Sequence, residues 1–317
     1  MEEKQINHWL RRRFSTVGWA LIVYYGIMNV LVTLAVLLDS AKGFFRAARG
    51  HTFAAFDPEA AMSNAWGYIF AIFVGAVILY AWKGGEYWKS ELFARKKAMK
   101  PTVFLSLLCL CAGSQMVNSL WVGLLEMILN QFGSSVAAML EGVSGSADSF
   151  SMFLYSALLA PVAEEILFRG FVQRSLRPFG RRFAIFGSAF LFGLFHGNLL
   201  QTPYVFLVGL VLGYVTEEYS VFWAMGLHMF NNLVLADFLS RMMERLPEMA
   251  AAVLSLLIFG GFALAAAAIL VAGRREISLY RQSEWMDHRC LKCFFTNSGV
   301  LVLMGLMLVN MVLLLGM

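Results

Sequence analysis

Few ionisable side chains interrupt the apolar stretches of this chain, and they recur at spacings that could do chemistry. Glu164, Glu165 and Arg169 fall in one apolar run, His196 in the next, and His228, Asn231 and Asn232 in a third. Glu126 lies in an earlier run, and Asp237 near the far end of the third. Paired carboxylates, imidazoles and amides are the groups that activate water, move protons and stabilise developing negative charge.

Helical geometry separates the two glutamates. Adjacent residues on a helix point about 100° apart, so Glu164 and Glu165 serve different faces, whereas Glu165 and Arg169, four apart, are neighbours. Glu165 thus has a built-in cation. Glu164 has none, and must face another polar group or a water-filled cavity, which makes it the better candidate for a reactive carboxylate. His228 and Asn232 are also four apart and share a face. Gly209 and Gly213 form a small-x-x-x-small pair that lets helices approach closely.

The surrounding elements must be membrane helices. Of 317 residues, 60% are hydrophobic and only 14% charged, against roughly 25% charged in soluble domains. An ionisable group near a bilayer centre costs at least about 2.5–3.5 kcal/mol on insertion scales, so each needs a partner or a purpose. Apolar spans read at 16–38, 65–82, 102–130, 149–171, 183–200, 203–216, 220–239, 251–272 and 299–316. Period-two alternation, the mark of a membrane barrel, is missing. The expected fold is all-α: a polytopic membrane protein of about 8–9 transmembrane helices, with its site in the core of the bundle.

Charge sets the expected topology. Alternate connections hold Lys4 to Arg13, Lys83 to Lys100, Arg174 to Arg182 and Arg274 to Lys292, about 19 basic residues against about 5 on the other side. That pattern explains the net charge of +5 without nucleic acid, and puts the N-terminus in the cytoplasm. The first span, at about 23 residues, is longer than a signal-peptide core and is read as a retained helix. Residues 39–64, with Phe44, Phe45, Phe53 and Phe56, read as an external connection lying along the interface. Cys109 and Cys111 read as apolar filler. Cys290 and Cys293 read as a C-x-x-C in a cytoplasmic loop behind His288, half a zinc site at best.

Glu164-Glu165-x-x-x-Arg169, Phe192-x-x-x-His196 and His228-x-x-x-Asn232, in this order on successive spans, resemble the three motifs of the CAAX prenyl protease and bacteriocin-processing (CPBP, or Abi) family of intramembrane proteases. The first motif alone is weak; the three together are specific. The resemblance covers about 150–240, within a division into N-terminal helices 1–140, a catalytic core 141–240 and C-terminal helices 241–317. Glu217-Glu218-Tyr219 departs from the pattern and reads as a cytoplasmic loop without a catalytic part.

The resemblance implies an intramembrane endopeptidase in a prokaryotic cell membrane, acting on a CAAX-type or other membrane-associated peptide. Catalytic residues would be Glu164, His196, His228 and Asn232, with Glu165 and Arg169 fixing the helix. Glu164 with His196 would hold and deprotonate water, while His228 and Asn232 donate to the oxyanion. No cofactor is then required. A zinc version would use His196, His228 and Glu164 as ligands, although no H-E-x-x-H is present. A non-catalytic immunity protein and a transporter are the other classes. Expected partners are a peptide or protein substrate, reached from the membrane or the cytoplasmic side, and the bilayer. Counting along the spans puts Glu164 about 12 Å, and His196 about 20 Å, from the cytoplasmic ends of their helices, a mismatch for two groups meant to share a site.

Overall fold

The computed structural model describes residues 3–48, 65–89, 97–136, 149–283 and 287–314, and no strand occurs among them. Helix α1 (Glu3–Ala48) is followed by α2 (Trp66–Lys83), α3 (Pro101–Gln131), α4 (Phe150–Phe179), α5 (Arg181–Phe195) and α6 (Thr202–Glu218). Helix α7 is unbroken through Val221–Phe230, Asn231–Phe238 and Leu239–Glu244, and α8 (Glu248–Ala272), α9 (Arg274–Ser283), α10 (His288–Phe295) and α11 (Ser298–Leu314) complete the chain.

The helix ends follow local chemistry. Pro101 opens α3, where a missing N–H is harmless, and the Ser149 and Ser220 hydroxyls accept from Met152 N and Trp223 N to cap α4 and α7. Between α4 and α5 the chain reverses at Gly180 with φ of 114°, a conformation that side chains with a Cβ rarely adopt.

Among the described residues, five helices (α1, α2, α3, α4 and α8) are long and apolar enough to cross a bilayer, and six if α10 and α11, bent by 57°, count as one span. The expected count of eight or nine is not confirmed: α5 and α6 are only 15 and 17 residues long and α7 changes helical form midway. The sequence shows these stretches as apolar, but they are apolar because they are packed inside the bundle: most of α5 is buried. Other boundaries also move. Helix α1 runs through Phe44 and Phe45 to Ala48, so that part of the expected interfacial connection is helix; Phe53 and Phe56 lie outside the described residues. Cys290 and Cys293 sit buried in α10 rather than in a loop.

Lipid hydrocarbon is as apolar as leucine, so close packing rather than hydrophobicity must hold these helices together. Helices α5 and α6 pack face to face, as do α3 with α8 and α1 with both α2 and α11. At Gly209 a Cβ would stand 3.1 Å from the Ala189 Cα, the close approach that a small residue permits. The core is rich in interlocked rings: Phe14 of α1 meets Phe183 of α5 and Phe294 of α10 at 5.2 and 5.9 Å, and Phe168 of α4 meets Phe192 of α5 at 5.1 Å. Outward residues such as Leu120, Met127, Leu256 and Leu264 are exposed and apolar, as a lipid-facing surface requires.

Candidate active site

Two stretches of α4, Tyr155–Leu159 and Ile166–Gln173, and one of α7, Asn231–Phe238, are wound as π-helix. These wider turns flank Glu164 and Glu165 and begin three residues after His228; such turns are rare and often mark functional positions. Side chains satisfy carbonyls along α4: Asn232 Nδ2 donates to Ser156 O at 3.1 Å, Ser188 Oγ to Phe168 O at 2.8 Å, and the Tyr87 hydroxyl to Gly170 O.

Glu165 and Arg169 are fully buried and ion-paired, Oε2 to Nε at 3.1 Å, an electrostatic contact without hydrogen-bond alignment. Arg169 also donates to Ser188 Oγ at 3.1 Å and stacks 4.8 Å above the Phe192 ring. The other oxygen of Glu165 faces His228 Nδ1 at 3.1 Å. A carboxylate can only accept, so Nδ1 carries the hydrogen. That bond aims His228 Nε2 at Glu164 Oε2, 3.7 Å away.

Glu164 is the more open of the two acids, with 30% of its side chain exposed. It lines a cavity of about 360 Å³ together with His196, Tyr155 and, from α1, Tyr24, Tyr25 and Asn29. His196 Nδ1 is 2.9 Å from the Phe192 carbonyl, to which it donates, so the neutral ring keeps its Nε2 lone pair as an acceptor. Depth no longer separates Glu164 from His196. Helix α4 continues past residue 171 to Phe179, placing Glu164 fifteen residues before the Gly180 turn's first flank and His196 fifteen residues after Arg181, each about 22 Å along its helix.

The structure therefore brings Glu164 and His196 to one cavity and places His228 directly behind Glu164. Asn232 lies apart from the cavity lining: its amide is on Ser156 O, and its Oδ1 accepts from Asn231 Nδ2 at 3.3 Å. Asn231, buried, accepts in turn from the Tyr204 hydroxyl at 2.9 Å. Glu126 accepts from Val136 N, and Asp237 pairs with Arg241 at 3.0 Å, both away from the cavity. Among the described residues no group of three His, Cys, Asp or Glu is arranged to hold an ion, and His228 directs one nitrogen at each glutamate.

Four consecutive helices, α4 to α7, supply this constellation, and the comparison with known families falls on the same stretch. Residues 146–234 match the family model described as type II CAAX prenyl endopeptidase, Rce1-like. The Rce1-like segment contains Glu164, Glu165, Arg169, His196, His228 and Asn232, and is consistent with the CPBP resemblance of the sequence. It indicates a protease of the CAAX-type intramembrane class, with a peptide or protein substrate and a membrane setting. No curated protein and no solved structure matches the chain.

Glu217 was read from sequence as part of a solvated turn, and the structure corrects this. It ends α6, buried, with Arg177 Nε 2.9 Å and Gln173 Nε2 3.1 Å away, tying α6 to the end of α4. The α1 contribution to the cavity was missed altogether: tyrosine and asparagine cost too little in a span to stand out as charges do.

Proposed function

We propose that the chain is a metal-free intramembrane endopeptidase with Glu164 as general base. The observation that carries this reading is the position of Glu164, open to a cavity shared with His196 and backed by an imidazole that Glu165 orients. Water in the cavity gives one proton to Glu164 as its oxygen bonds to the scissile carbonyl carbon. His196 Nε2 accepts the other water hydrogen and aligns the attack. Glu164 then passes its proton to the amide nitrogen as the C–N bond breaks, leaving a carboxylic acid and an amine.

Negative charge on the carbonyl oxygen needs donors, and α7 supplies them. Asn232 uses one N–H on Ser156 O and has a second. His228, whose Nε2 stands 3.7 Å from Glu164 Oε2, is the other donor. The irregular winding after His228 gives α7 the local freedom for Asn232 to turn toward a bound peptide. The substrate is a membrane-associated peptide of CAAX type.

The reconstituted full chain and its Glu164→Ala form should be incubated with prenylated and membrane-proximal peptides, with and without a strong chelator, and the products weighed by mass spectrometry. Cleavage by the unaltered chain that persists in chelator and vanishes in Glu164→Ala is expected. Loss in chelator that zinc restores overturns the metal-free reading, and cleavage by Glu164→Ala overturns the base assignment.

A further inference from the structure

A second cavity, larger than the one that holds Glu164, lies on the other side of Tyr24. A slot of about 810 Å³ opens between α1 and α2 where α10 breaks into α11. Its two ends differ in chemistry. At the mouth stand His8, Arg11 and Arg12, and among the described residues no acidic one lines any part of it. Both arginines are exposed, and among the described residues neither has an ion-pair or hydrogen-bond partner for its guanidinium. The serines at the mouth are occupied: Ser15 Oγ and Ser298 Oγ are 3.0 Å apart, and Ser15 Oγ accepts from Gly299 N at 3.1 Å. The cationic groups are thus left facing outward without counter-charge. Beyond them the walls are apolar, Trp19, Val23 and Ile27 on α1 facing Ile78 and Trp82 on α2.

The dimensions identify an occupant. Arg11 and Ile27 are sixteen residues apart on one helix, about 24 Å along its axis. A bilayer is about 40–45 Å thick with its headgroups, so one leaflet is about 20–22 Å. A slot of leaflet length, cationic at the interface and apolar toward the midplane, matches one phospholipid molecule standing in its own leaflet. We propose that this slot is a binding site for an anionic phospholipid, its phosphate held by Arg11 and Arg12 and an acyl chain lying between Trp19 and Trp82. Charge complementarity selects the anionic class, since basic groups at a membrane surface each contribute attraction to anionic lipid that a zwitterion largely cancels. Tyr24, toward the inner end of the slot, is also a wall of the Glu164 cavity, so a bound chain would pack against the back of that wall.

The proposal does not rest on proteolysis, and its test reads binding. The purified full chain in a zwitterionic detergent is titrated with brominated phosphatidylglycerol or brominated phosphatidylcholine, with quenching of tryptophan fluorescence as the signal. Saturable quenching with a preference for phosphatidylglycerol on the order of tenfold is expected. That preference should vanish in Arg11→Gln/Arg12→Gln, and the saturable component should vanish in Trp19→Phe/Trp82→Phe. Val23→Trp, at an exposed position, fills the slot without touching the arginines and should weaken both lipids. Equal quenching by the two lipids, or a preference that survives loss of both arginines, overturns the assignment. Full competition by inorganic phosphate would make it a bare anion site, and displacement by a prenylated peptide would give the slot to substrate; either result also overturns it.

Discussion

His228 Nδ1 lies 3.1 Å from Glu165 Oε1, and this bond decides where the opposite nitrogen of the ring points. The outcome is a relay of four side chains from two helices: Arg169 neutralises Glu165, Glu165 orients His228, and His228 Nε2 faces Glu164. Two adjacent acids thereby take different work. One is sealed in the bundle and orients His228; the other meets the cavity and is the base of the proposed mechanism.

Substituting each acid should separate the two roles. Glu165→Ala leaves Arg169 buried without its partner, and removing one member of a buried pair costs about 3–5 kcal/mol. Glu164→Gln removes charge from a partly open side chain and should change stability by less than about 1 kcal/mol while abolishing peptide cleavage. Thermal unfolding in detergent beside a cleavage assay checks the contrast; equal loss of stability in both variants would refute it.

His228→Asn tests the relay itself. The substitution keeps a polar group on α7 but shortens its reach, so Glu164 loses the imidazole at 3.7 Å. Cleavage should fall about 10²–10³-fold in kcat, the range seen when a preorganised donor is lost, with KM little altered. A rise in KM at constant kcat would assign His228 to substrate binding instead.

The candidate residues were legible because a charge in an apolar span is conspicuous. Glu164, His196 and His228 stood out on that ground, and helical spacing paired Glu165 with Arg169. What escaped was set by packing. Helices α5 and α6 looked like ordinary spans, because a short helix buried in protein and a helix facing lipid share one composition. Arg174 and Arg177 read as the start of a loop, yet α4 continues through them, and this extension brings Glu164 level with His196. No hydropathy pattern announces the π-wound turns.

Glu217 gives a second test of reading acids by burial. Its carboxylate receives Arg177 and Gln173, while its neighbour Glu218 pairs with Lys97 at 2.9 Å at the surface and holds that ammonium above its ordinary value. Glu217→Ala strands the buried Gln173 donor while Arg177 reaches solvent, and should destabilise the protein by about 1–3 kcal/mol; Glu218→Ala should cost less than about 1 kcal/mol. Protein that remains folded should keep its cleavage rate, since neither acid lines the cavity. Unfolding midpoints measured for the two variants decide it; the reverse order of stability would refute the burial argument.

Gly197 follows His196 directly and adopts φ of 57°, and its carbonyl accepts from Asn310 Nδ2 of α11 at 3.4 Å. The last helix thus holds the residue next to a cavity histidine, although its sequence carries no motif. A Cβ at Gly197 would stand too close to that Nδ2, so Gly197→Ala brings two separate costs: a left-handed backbone, about 1–2 kcal/mol, and a contact that the Asn310 amide or the His196 turn must relieve by moving. A displacement of about 1 Å at a reacting group can cost 10²-fold in rate. Cleavage by Gly197→Ala should fall by about that factor. Adding Asn310→Ala removes the clash but not the backbone strain, so the double variant should regain much of the rate while recovering little stability. If the second substitution restores stability but not rate, the contact matters to folding and not to the placement of His196.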